Sequence, residues 1–171
     1  PVAYGVLPFR TRVIDALLQN QPTVIKGNAF EIMSLAGADA SGKGADSLTS
    51  VEDAEPAARA LAHRHGCVVA VTGSTDIVTD GEKIFHLTNG HEMMTAHTGT
   101  GCMAGAAIGC LLAVNADPLE ATVAALAFFA VAGETAAEKS SGPGSLRMHL
   151  IDLLYALDEQ TFCDRLRYHS L

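Results

Sequence analysis

The run Thr98-Gly99-Thr100-Gly101-Cys102 has the make-up of an anion site. It passes directly into Met103-Ala104-Gly105-Ala106-Ala107-Ile108-Gly109-Cys110, an apolar, small-residue stretch that reads as a buried helix. Two glycines among hydroxyl residues let the backbone curl so that several N–H groups face one spot. The start of the helix adds its own unpaired N–H groups and the positive end of its dipole. Cys102, read as the first helical position, looks into the same pocket. The chemistry such a pocket suits is phosphoryl transfer, with Gly99, Thr100 and Gly101 as the anion hole. The competing reading is an ordinary turn with a helix cap. No G-K-[ST] follows, so this is not a Walker A loop, and the spacing is not G-x-G-x-x-G.

Elements must position that turn. Thr11 to Gln19 carries Val13, Ile14, Leu17 and Leu18 at helical spacing. Pro22 to Lys26 reads as a buried strand ending at Gly27. Asn28 can then cap a helix, with Glu31 at the position of a capping-box acid and Gly37 closing it. Asp39 to Ser50 is poor in apolar residues and reads as a mobile surface loop. Val51 to His65 follows as a helix, and Cys67 to Val71 is a continuous apolar run of the kind a doubly covered parallel strand carries. It ends at Thr72-Gly73. Asp80-Gly81 between two short apolar segments signals a hairpin. Asn89-Gly90 and a polar stretch lead to Thr98. Apolar helices then run from Thr100 to about Val114 and from Pro118 to near Lys139. Gly142-Pro143-Gly144-Ser145 turns into a helix through Leu157, with Ser145 as its cap, and a last short helix covers Asp158 to Tyr168. Alternating β and α elements imply an α/β protein with a largely parallel sheet between helical layers. Ligands of such sheets sit beyond the carboxyl ends of strands. Lys26, Thr72 and the Thr98 loop all fall at or just after expected strand ends, on one common edge.

The bulk properties are consistent with this. At 171 residues the chain suffices for one domain with its own core. Hydrophobic residues make up 49% and aromatics only 5%, which favours a close-packed α/β protein over a sandwich. A formal net charge of -8 argues against nucleic acid or an anionic membrane as partner, since both need basic surface. The four cysteines, Cys67, Cys102, Cys110 and Cys163, show no C-x-x-C spacing and read as free thiols of a reducing cytoplasm. No signal peptide stands at the start, and the longest apolar run, Ala121 to Gly133, is too short to cross a bilayer. The chain opens Pro1-Val2-Ala3-Tyr4-Gly5 without Met, in what reads as a strand end entering a loop. The first part of the domain is therefore expected to be missing or to lie in a companion chain, and residues 1–171 are expected to be inactive alone.

Several runs resemble hydroxyethylthiazole kinases of the ribokinase-like superfamily. Ile25-Lys26-Gly27-Asn28-Ala29-Phe30-Glu31-Ile32 is similar to the family's I-R-G-N-x-x-E-I. Val71-Thr72-Gly73, Gly99-Thr100-Gly101-Cys102 and Gly142-Pro143-Gly144-Ser145 also match, and Pro1-Val2 with Pro8-Phe9-Arg10 resembles the segment after the family's D-P-V. Most of the superfamily has Asp where this chain has Cys102. The resemblance covers essentially the whole chain, as the C-terminal part of one kinase domain. It implies a three-layer α/β/α fold and ATP-dependent phosphorylation of 4-methyl-5-(2-hydroxyethyl)thiazole in thiamine salvage. It also implies Mg²⁺ and homotrimers with active sites between subunits. On this pattern Cys102 stands at the base that meets the substrate hydroxyl, and a thiol there can be a weak base or only an orienting group. The resemblance also implies that Gly99 touches the thiazole and that the Gly99–Gly101 amides hold phosphate. It implies that Lys26, Asn28 and Thr72 lie against ATP and that Glu31 holds Mg²⁺ through water. Lys26 replaces the family's Arg and lacks its bidentate fork. His86, His91 and His97 match no metal spacing and read as surface or loop residues. Another small-molecule kinase of this fold, for pyrimidine or pyridoxal substrates, or the repair lyase that shares it, is a second reading. A catalytically silent nucleotide- or thiazole-binding module is the third.

Overall fold

The computed structural model describes residues 4–37 and 51–170. The loop expected over Asp39–Ser50 and the Pro1-Val2 segment lie outside the described residues. The chain divides into two compact units, one running to His86 with the last two residues, the other covering Leu87–His169.

The first unit begins with α1 (Pro8–Leu18), which buries none of its residues, although Ile14 and Leu18 pack against the core. Strand β1 (Val24–Asn28) runs straight into α2 (Ala29–Ala36), which ends at Gly37 in the left-handed conformation, φ 74°. Helix α3 (Val51–His65) leads to β2 (Val68–Thr72), and β3 (Asp76–Thr79) and β4 (Ile84–Leu87) form a hairpin. These strands lie side by side in chain order. β1 pairs with β2 in parallel, Asn28 opposite Thr72, and β2 pairs with β3 antiparallel. The continuous apolar run of β2 is buried from Val68 to Val71, as a strand covered on both faces must be. Ile32, Leu61, Val69, Val71 and Ile77 are fully buried and form the centre of this core.

The hairpin turn is longer than Asp80-Gly81 suggests. Asp80 Oδ1 accepts from the N–H groups of Glu82 (2.9 Å) and Lys83 (2.8 Å), and Thr79 Oγ1 donates to Lys83 O (2.7 Å). Gly81 has φ +104°, and the ring of His63 occupies the space a Cβ would take. Arg59 Nη1 donates to Gly81 O and Glu82 O, which ties α3 to the turn.

The second unit holds a 3-10 turn (Glu92–Ala96), α4 (Thr100–Leu112), α5 (Pro118–Glu138), α6 (Pro143–Ala156) and α7 (Glu159–Arg165). Helix α5 packs against α4 and α6. Four expectations differ from what is found. α4 is not buried all round: Ala104 and Ile108, one turn apart, are its buried residues, while Gly105, Ala106, Gly109 and Cys110 are exposed. An all-apolar composition does not say which face packs. The run over Ala121–Gly133 extends into a helix of 21 residues, long and apolar enough to span a membrane, with 72% of its apolar window buried inside the protein. The last helix stops at Arg165, and Tyr168–Ser170 is a short strand, β5. Gly142, not Ser145, caps α6; the Ser145 hydroxyl donates back to Gly142 O at 3.0 Å.

Leu61 sits with no solvent exposure in the first core. Leu61→Ala is expected to lower unfolding stability by about 2–5 kcal/mol, read by urea denaturation; a loss well under 1 kcal/mol, about the cost of a surface change, would show that this core is not as packed as described.

Candidate active site

At the end of β1 the backbone of Asn28 is extended, and its side chain accepts from Glu31 N–H at 2.8 Å. Glu31 Oε2 accepts in return from Asn28 N–H at 3.0 Å, completing a capping box. The exchange stabilises the start of α2 by about 0.5–2 kcal/mol and holds a carboxylate at the positive end of the helix. Side chains alternate along β1, so Lys26 and Asn28 lie on the face opposite buried Ile25 and Gly27. Lys26 Nζ donates to Thr72 Oγ1 at 3.4 Å, and Thr72 donates to Gly27 O at 3.4 Å. The first unit therefore brings Lys26, Asn28, Glu31 and Thr72 to the carboxyl edge of two parallel strands.

Asp76 belongs to the same edge, and the sequence reading passes it over as the start of a hairpin strand. Its Oδ1 accepts from Gly73 N–H at 3.0 Å. Burial pushes its carboxyl up to about 6, against the Gly73 N–H and the Lys26 charge, which both pull it down. An acid at the first residue of a strand, three after a strand-end Thr-Gly, is the sequence signal available for it.

In the second unit Gly99 caps α4 with φ +98°, a left-handed conformation that a side chain would strain. Met103 N–H donates to Gly99 O at 2.9 Å. The preceding N–H groups of Thr100, Gly101 and Cys102 thus have no carbonyl within the helix to reach. Cys102 is the third helical residue, not the first, because the left-handed Gly99 starts the helix at Thr100 and Gly101 continues it. Its side chain is exposed. The Thr100 hydroxyl faces backwards, 3.0 Å from Met94 O and 2.8 Å from His97 O, so what Thr100 can offer an anion is its amide. The turn does not follow a strand directly either: ten residues, including the 3-10 turn, separate Leu87 from Thr98.

Of the histidines, His86 departs from the surface reading. It is buried on β4 with Nε2 3.6 Å from Glu55 Oε2, next to the Arg59–Glu55 pair. A strand residue that alternates inward carries its imidazole with it. His91 is exposed and caps the 3-10 turn through Nδ1. Among the described residues no group of three or more His, Cys, Asp or Glu could hold a metal. Glu31 is a single oriented carboxylate, of the kind that could hold an ion that keeps most of its waters.

Sequence reasoning also misses Asn89, Glu134 and Arg167. Arg167 donates to both oxygens of Glu134, at 3.0 and 2.6 Å. Burial alone would raise the Glu134 carboxyl; hydrogen bonds from Arg167, the Gly90 N–H and Asn89 outweigh it and hold the group below the ordinary range. A lone acid inside an otherwise apolar stretch is the signal, since such a charge must find partners.

Comparison with known proteins bears on the family of the chain. The model of the hydroxyethylthiazole kinase family matches residues 1–160. A hydroxyethylthiazole kinase of Granulibacter bethesdensis is 49% identical over 98% of this chain and 61% of its own length. One of Rhizobium rhizogenes is 48% identical over 100% and 64%. The solved structure of a hydroxyethylthiazole kinase protein from Pyrococcus horikoshii superposes with TM-score 0.89 at 37% identity, covering 100% of this chain and 63% of that one. A pyridoxal kinase from Staphylococcus aureus, solved with pyridoxal, gives 0.58 at 30% identity over 77% and 47%. The chain thus spans less than two thirds of the length of these relatives.

Folded Asp76 keeps its proton to about 6, whereas the unfolded group releases it near 3.8. The folded state therefore binds more protons between those values, and stability falls as pH rises through the window and is flat above it. Asp76→Asn keeps the acceptor for Gly73 and is expected to remove this slope in urea unfolding across the window. A variant whose profile keeps the wild-type slope contradicts the assignment.

Proposed function

The chain belongs to the hydroxyethylthiazole kinase family, and from that membership we propose that it carries the phosphoryl-transfer machinery of an ATP-dependent kinase for 4-methyl-5-(2-hydroxyethyl)thiazole. The observation that carries the reading is the first turn of α4. Three amides without helical acceptors follow a left-handed glycine, and the Thr100 hydroxyl is tied back into its own loop. Phosphoryl transfer asks a protein mostly for position and charge stabilisation. Amides fixed in a helix start supply both without reorganising during the reaction.

In this reading the amides of Gly99, Thr100, Gly101 and Cys102 hold the oxygens of the γ-phosphoryl group as it moves, and Gly99 also borders the thiazole. The exposed Cys102 thiol takes or orients the proton of the substrate hydroxyl. Lys26, Thr72 and Asn28 contact the nucleotide, Lys26 as a point charge on a phosphate. Glu31 would hold the water shell of a Mg²⁺, which when bound neutralises phosphate charge. The reading extends to a homotrimer with active sites between subunits, working in a reducing cytoplasm that keeps the cysteines as thiols.

The likeness to a pyridoxal kinase gives the second reading, a related kinase with another alcohol substrate. Fold kinship does not fix the substrate. A panel of thiazole, pyridoxal and pyrimidine alcohols, read by ATP consumption, is expected to favour the thiazole. ATP binding without turnover of any of them would instead mark a silent binding module.

In an active preparation containing this chain, Cys102→Ala is expected to lower kcat by about 100-fold and to change KM for ATP by less than about threefold. An unchanged kcat means the thiol plays no part in proton transfer.

A further inference from the structure

Two adjacent residues of α5 hold the segment that leads from Gly90 to the turn at Gly99. Glu134 Oε2 accepts from the Gly90 N–H at 3.2 Å and from Asn89 Nδ2 at 3.2 Å. Asn89 in turn donates to Arg165 O at 2.8 Å and accepts from the Arg167 N–H at 2.7 Å, so the entry to the segment is fixed from two sides. Gly133, one residue earlier on the helix, is buried. A Cβ there would run into Sδ and Cε of Met94, so the thioether lies directly on the backbone of α5. Met94 O accepts from the Thr100 hydroxyl at 3.0 Å. A continuous path therefore runs from Gly133 through Met94 to Thr100, whose amide belongs to the anion turn.

We propose that Gly133 and Glu134 are positioning residues for phosphoryl transfer, setting where the Gly99–Cys102 amides stand by docking the Gly90–Met94 segment on α5. The proposal rests on the phosphoryl-transfer reading of the turn. Neither residue touches a reacting atom. Gly133 acts by lacking a side chain and Glu134 by accepting the Gly90 N–H. The small residue and the acid are both odd choices for the middle of a packed helix. Glycine weakens a helix interior, and a carboxylate on a mostly buried helix needs partners. Docking the turn accounts for both.

In an active preparation containing this chain, Gly133→Ala displaces the Met94 side chain. It is expected to lower kcat about tenfold or more, since an ångström of misplacement far from the chemistry can be worth about 100-fold. KM for ATP and for the thiazole should change by less than about threefold. Met94→Ala opens the space the new methyl needs, so Gly133→Ala combined with Met94→Ala should be no slower than Met94→Ala alone. Glu134→Ala should lose kcat in the same pattern, and Glu134→Gln, which keeps an acceptor for Gly90, should recover part of it. Amide hydrogen exchange at Met103, whose N–H is held by Gly99 O, needs no turnover. It is expected to quicken in Gly133→Ala and to return in the double variant to the level of Met94→Ala. Losses that simply add between Gly133 and Met94, or unaltered exchange at the turn in Gly133→Ala, overturn the proposal. Should Glu134→Ala fail to fold, the Gly133–Met94 cycle decides. A wild type without turnover counts against the kinase reading, while the exchange measurement still decides the positioning one.

Discussion

The first turn of any α-helix has N–H groups that its own carbonyls cannot reach. In α4 those groups belong to Thr100, Gly101 and Cys102, and no side-chain cap hydrogen bond meets them. A Ser, Asp or Asn at the cap would have satisfied one of them with its own oxygen. Gly99, in the left-handed conformation, offers no such oxygen. The Thr100 hydroxyl is directed to Met94 O and His97 O instead. Neither the Gly99 cap nor the Thr100 hydroxyl therefore satisfies these amides. An anion is what such a place accommodates best, because the dipole and the amides act together.

Open amides are useful only when they stand still, and much of the second unit bears on that. The segment entering the turn carries no strand and little apolar burial of its own, so its position comes from what it is fastened to. Asn89, Glu134 and Arg167 fasten it with charge-assisted hydrogen bonds, the stronger kind. In the first unit the capping box of Asn28 and Glu31 does a comparable job: one reciprocal exchange both starts α2 and aims a carboxylate. Beside it, Lys26 is held by a hydroxyl and draws on the charge of Asp76, so this strand edge offers a cation whose setting changes as Asp76 titrates.

Where the chain's local chemistry decides the outcome, the sequence is readable. The Asn28–Glu31 box, the closure of α2 at Gly37 and the buried run of β2 follow from side-chain hydrogen bonding, glycine's freedom and apolar patterning, and all are found as expected. Where the outcome depends on partners distant in the chain, it is not. The burial of His86 against Glu55, the choice of Arg167 as the partner of Glu134 and the burial of just one stripe of α4 are tertiary facts that no local pattern specifies. Cys102 lies between these cases. Its nearness to the turn is legible, but its place as third helical residue depends on the φ of Gly99, which a glycine leaves open. Family membership was legible because the motif-bearing runs are the ones in which backbone and ligand chemistry leave few alternatives.

The most direct test of the account is a crystal structure of an active preparation containing this chain with a non-hydrolysable ATP analogue and the thiazole alcohol. The account predicts terminal phosphate oxygens within hydrogen-bond reach, about 3 Å, of the amides of Thr100, Gly101 and Cys102, with the substrate hydroxyl beside the Cys102 sulfur. A terminal phosphate seated elsewhere, with those amides bonded to water or to protein, would contradict it.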